Sequence, residues 1–121
     1  MKPKISIVIR TKNEERWILK CLEQINKQTF RDFEILIIYD DENTNDYSFV
    51  KDFEKKDKRI KVIRNLKNIG AGLSRNVGIE KSNYEFIAFL AADPTVYKLN
   101  PNQAFSSVFL YQASSKLQKK F

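Results

Sequence analysis

Short runs of β-branched residues alternate along this chain with segments of helical periodicity, and few architectures accept that order. Ile5-Ser6-Ile7-Val8-Ile9 is bounded by polar residues and reads as a buried strand. Asn13-Glu14-Glu15 supplies a cap and an acidic first turn for a helix. Trp17, Ile18, Cys21, Leu22 and Ile25 carry its apolar face to about Gln28. A second strand runs from Phe33 to Tyr39. The polar loop 40–46 leads into a second helix with Phe49, Val50 and Phe53 as its stripe. Residues 59–64 form a third strand. Residues 70–81 form a third helix, whose small residues Ala71, Ser74 and Gly78 allow close approach to a neighbour. Residues 85–90 form a fourth strand. Asn100-Pro101 is a cap and first-position pair for a last helix, with Phe105, Val108, Phe109 and Leu117 as its buried face. Patterning is weaker from residue 94 to 121. The order β-α-β-α-β-α-β-α predicts an α/β fold, a Rossmann-like parallel sheet flanked by helices, with right-handed crossovers.

At 121 residues the chain has the size of one domain, 1–121, and can bury a core without disulfides. Its single cysteine, Cys21, excludes an intrachain disulfide and a cysteine-rich metal site. It reads as a small core residue. Histidine is absent, which removes histidine-dependent nucleophilic machinery and histidine metal sites. Acid–base or metal chemistry therefore falls to carboxylates, and any ion should prefer oxygen ligands. The net charge of +7 suits phosphates, nucleic acid or an anionic membrane surface. No apolar stretch has the length of a membrane span, and no signal-peptide pattern opens the chain. The expected location is the cytosol, with the inner face of the membrane as an alternative.

In an open parallel sheet, ligands bind beyond the carboxyl ends of the strands. The first strand ends at Arg10-Thr11-Lys12-Asn13, the second at Asp40-Asp41, the fourth at Ala91-Ala92-Asp93. Two strands thus send carboxylates, Asp40 and Asp93, to one rim, provided the first strand lies between the second and the fourth. The plainer reading of each Asp is a turn former or helix cap. The ligand reading has Asp40 accepting from the imide of a uracil ring and Asp93 binding a divalent ion that bridges diphosphate oxygens. Gly-x-Gly-x-x-Gly after the first strand and Gly-Lys-Ser/Thr are both absent, which sets aside the nicotinamide and P-loop readings. Lys/Arg interleaved with aromatics on one strand face is also absent, so nucleic acid is not an expected partner.

Four motifs then occur in order. ISIVIRTKN (residues 5–13) resembles the first strand of family 2 glycosyltransferases, and ILIIYDDENTND (35–46) their second strand and acidic loop. NIGAGLSRNVGI (68–79) is similar to their Asn-x-Gly … Ala/Ser-Arg-Asn-x-Gly segment. YEFIAFLAAD (84–93) is similar to the strand that ends in their Asp-x-Asp metal motif. The resemblance implies a glycosyltransferase A-type fold and transfer of a sugar from a nucleotide diphosphate donor, a UDP-sugar favoured, to an acceptor hydroxyl. The acceptor would be a saccharide or a lipid-linked one. It implies nucleotide contacts from Thr11, Asn13, Glu14, Asp40, Asp41 and Arg75, and Mg²⁺ or Mn²⁺ at Asp93.

The departures from that pattern are specific. Ala91 stands where the family usually has an acid, Pro94 follows where an acid is frequent, and Lys12 occupies a position where an aromatic residue is common. The acceptor half of the family, with its general-base carboxylate, would lie beyond Phe121, so no catalytic residue is assigned and the chain is expected to transfer no sugar alone. Rival readings are an inactive nucleotide-binding remnant and a basic α/β interaction module. An open sheet edge would be covered by the last helix or by a second copy in a homodimer.

Overall fold

The computed structural model describes residues 4–12, 15–27, 31–42, 47–91 and 109–112. In chain order these form β1 (Ile5–Thr11), α1 (Glu15–Asn26), β2 (Phe33–Tyr39), α2 (Tyr47–Lys51), α3 (Phe53–Lys56), β3 (Ile60–Arg64), α4 (Gly70–Lys81), β4 (Phe86–Ala91) and β5 (Phe109–Gln112). The strands make one sheet in the order β3-β2-β1-β4-β5. β1 runs parallel to both β2 and β4, β2 runs parallel to β3, and β5 is antiparallel to β4. The first strand therefore lies between the second and the fourth, and connections diverge on either side of it.

Alternation along the strands divides the core in two. Ile7 and Ile9 of β1, with Ile35, Ile37 and Tyr39 of β2, pack against Ile18, Leu22 and Ile25 of α1 and against Val50 and Phe53. Val8, Leu36, Ile38 and Ile87 point the other way and meet Ile79 of α4. The central strands are thus covered on both faces, which is why β2 reads as one unbroken apolar run. Cys21 belongs to the first cluster, and burial pushes its thiol up to about 12, so it behaves as a small apolar residue. α4 lies close to the sheet because Gly78 has no side chain. A Cβ there would overlap Val8, with Cγ2 only 2.9 Å away.

Two expectations are corrected. The second helix breaks at Asp52 into α2 and α3. The five residues of α2 bury only Val50, and Phe49, expected on the apolar stripe, is 45% exposed with its ring edge-on to Phe53 at 5.3 Å. Residues 109–112, placed by their periodicity in a last helix, form β5 instead. Phe-Leu-Tyr-Gln suits a pleated surface as well as a helix, and pairing with β4 covers an edge that would otherwise expose unpaired backbone groups. Residues 92–108 and 113–121 lie outside the described residues, and with them the rest of that expected helix.

Candidate functional site

The ends of β1, β2 and β3 are laced together by two backbone bonds beyond the strands. The Asp40 amide donates to the Thr11 carbonyl at 3.0 Å, and the Asn65 amide to the Tyr39 carbonyl at 2.9 Å. They hold Thr11, Asp40, Asp41 and Asn65 on one rim, all buried.

Asp40 is fully buried, and four residues donate to its carboxylate. Oδ1 accepts from Asn65 Nδ2 at 3.0 Å and from the Ile69 amide at 2.8 Å. Oδ2 accepts from the Gly70 amide at 2.9 Å, from Arg10 Nε at 3.0 Å and from Arg10 Nη2 at 2.9 Å. Asn65 Nδ2 also reaches Ser74 Oγ at 3.2 Å, which extends the network into α4. Burial alone would raise the pKa of this carboxyl. The bonds from Ile69, Asn65, Arg10 and Gly70 outweigh it and hold the pKa at about 2.

The arrangement also completes α4. Its N-cap residue, Ile69, has no polar side chain to offer the first amides, and a carboxylate from the end of β2 takes that place. Gly70, the first helical residue, has a φ of +89°, which favours glycine at this turn. The acid anticipated as a base reader is thus already committed to protein donors.

Thr11 differs. It is 0% exposed, and its Oγ1 finds no hydrogen-bond partner among the described residues. A buried hydroxyl left in that state costs about 1–3 kcal/mol. Asp41, 6% exposed, follows Asp40 directly. Arg75 is exposed on α4, with its guanidinium 5.9 Å from the centroid of Phe89 in β4. Asn13, Glu14 and Asp93, expected at the site, lie outside the described residues. Among those described, no group of three or more His, Cys, Asp or Glu converges to hold a metal ion. Sequence reasoning missed Arg10, Asn65 and Ser74. The available signal was a guanidinium at the end of an otherwise apolar strand, ISIVIRT.

The family model for glycosyl transferase family 2 matches residues 6–99. An uncharacterized glycosyltransferase of Methanocaldococcus jannaschii is 38% identical over 94 residues, covering 76% of this chain and 32% of that protein. Residues 1–349 of TarS from S. aureus, solved in complex with UDP-GlcNAc, share 28% identity at a TM-score of 0.64, over 74% of this chain and 26% of that one. A mannosyltransferase from Pyrobaculum calidifontis, solved with GDP-Man and Mn²⁺, shares the fold at a TM-score of 0.67 and 18% identity, over 77% of this chain and 28% of that one.

Proposed function

The chain belongs to glycosyl transferase family 2, and from that premise we propose that its rim holds the nucleotide of a nucleoside diphosphate sugar for transfer to an acceptor hydroxyl. One observation carries the proposal. The Thr11 hydroxyl is fully buried and has no hydrogen-bond partner among the described residues, at the carboxyl end of the central strand and on the same rim as a buried Asp41. A ligand whose polar edge reaches that rim satisfies the hydroxyl, and ligands of open parallel sheets bind at that end.

Within this reading each rim residue has its own work. Asp41 accepts from the imide of the base, which favours uracil, and the solved neighbour that binds UDP-GlcNAc supports that preference. Thr11 bonds the nucleotide, and Asn13 and Glu14 extend the same loop. Asp40 acts behind them, holding the start of α4 and so the placement of Arg75. Asp40 reaches the base itself only by giving up a protein donor. The described residues offer a metal ion no set of carboxylates, so Mg²⁺ or Mn²⁺ would rest on Asp93 and on oxygens of the diphosphate, as Mg²⁺ does when one or two carboxylates share it with phosphates. The neighbour solved with Mn²⁺ supports an ion of that kind. Transfer places the acceptor hydroxyl in line behind the anomeric carbon, with a base in hydrogen-bond reach of its proton. The acceptor is a saccharide or a lipid-linked one. No helix among the described residues is long and apolar enough to cross a membrane, and a site at the cytoplasmic face suits both acceptors.

Titration calorimetry with UDP, ADP and GDP tests the assignment. The parent chain should prefer UDP. Asp41→Ala should weaken UDP by about 1–3 kcal/mol, the scale of a charge-assisted bond, and abolish the preference. A preference that survives the substitution removes Asp41 from the base site.

A further inference from the structure

We infer that Arg10 contacts the diphosphate of the donor and supplies fixed positive charge between the ends of β2 and β4. The inference rests on the donor-binding reading above and adds to it a residue of no assigned role.

The placement of Arg10 is unusual for a residue that only fills a sheet. It is the last but one residue of the central strand, with Ile38 in register on one side and Ala91 on the other. Neither neighbour carries a charge. Among the described residues its one anionic partner is Asp40, which it meets through Nε and Nη2. That carboxylate is shared with Asn65 and with the Ile69 and Gly70 amides, so Arg10 is only part of what balances it. The Arg10 side chain remains 27% exposed, whereas Asp40 is wholly covered. A guanidinium has five N–H donors in a planar fork. Those not turned to Asp40 have no other partner among the described residues.

A second guanidinium stands nearby by register. Arg75 lies over Phe89, and Phe89 is in register with Val8. Val8 and Arg10 are two residues apart on the same face of β1, a step of about 7 Å. Two arginines thus approach the end of β4 from the strand side and the helix side. A pair of guanidiniums matches the oxygens of a diphosphate, which planar N–H forks bind bidentately. Asp40 has the further effect of holding the Arg10 side chain in place before a ligand arrives.

Binding of UDP and of uridine, measured by calorimetry in EDTA, separates this role from a purely structural one. The parent chain should bind UDP more tightly than uridine without a divalent ion. Arg10→Met should weaken UDP roughly 10- to 100-fold, the range of a lost charge-assisted contact, and leave uridine within about twofold. Arg10→Lys keeps the pairing with Asp40 but not the fork. It should melt near the parent and lose UDP affinity alone, so it stands in if the methionine variant does not fold. Equal losses for UDP and uridine, or no loss for either, would overturn the role of Arg10. A parent that binds neither compound, with or without Mn²⁺, refutes the donor-binding reading instead.

Discussion

Asp40→Ala should lower folding stability by about 3–5 kcal/mol, the scale seen when one partner of a buried ion pair is removed. The substitution strands Arg10, leaves Asn65 with only Ser74, removes the acceptor of the Ile69 amide, and leaves the Gly70 amide with only Asn68 Oδ1 at 3.2 Å. Urea unfolding followed by circular dichroism gives the value, and a loss below about 1 kcal/mol would show that the network is dispensable. The same residue sets an acid limit. Its folded pKa of about 2 lies below the ordinary 3.8, so the folded state binds its proton more weakly than the unfolded chain does. The stability from this ionisation is fully present above about pH 4 and is lost as pH falls towards 2. It amounts to about 2 kcal/mol at roughly 1.4 kcal/mol per unit. Asp40→Asn should flatten that part of the acid-unfolding curve.

Thr11→Val should move stability and binding in opposite directions. Valine keeps the branched shape that suits a strand and removes a buried hydroxyl with no partner among the described residues. The folded state should gain about 1–2 kcal/mol, within the usual penalty of an unsatisfied polar group. UDP affinity should fall by roughly tenfold, because on the proposed reading that hydroxyl bonds the nucleotide. A variant that is less stable than the parent would show that the protein itself satisfies Thr11.

The parallel core was legible because its central strands, β1 and β2, are buried on both faces and carry nearly continuous apolar runs. The bounds of α4, Gly70–Lys81, also matched, since small residues mark a helix that must lie close to a sheet. β5 was not legible. Phe109 and its neighbours fit either period, and what decides between them is an open edge on β4, a tertiary fact. The site was legible only as residue types at strand ends. The sequence shows an acid at position 40, but its donors lie 25 to 30 residues away. Their convergence, which turns Asp40 from an open ligand into a pinned one, exists only after folding. The departure at Ala91 is visible in the sequence itself, whereas the guanidinium in register with it comes into view only through strand pairing.

The central claim is that a nucleoside diphosphate occupies the rim where β1, β2 and β4 end. Amide chemical-shift mapping of the ¹⁵N-labelled chain during a UDP titration tests it most directly. Shifts concentrated at Arg10, Thr11, Lys12, Asp40, Asp41 and Ala91 are the predicted result. Shifts confined to exposed lysines such as Lys61 and Lys67, or none at saturating UDP, would contradict it.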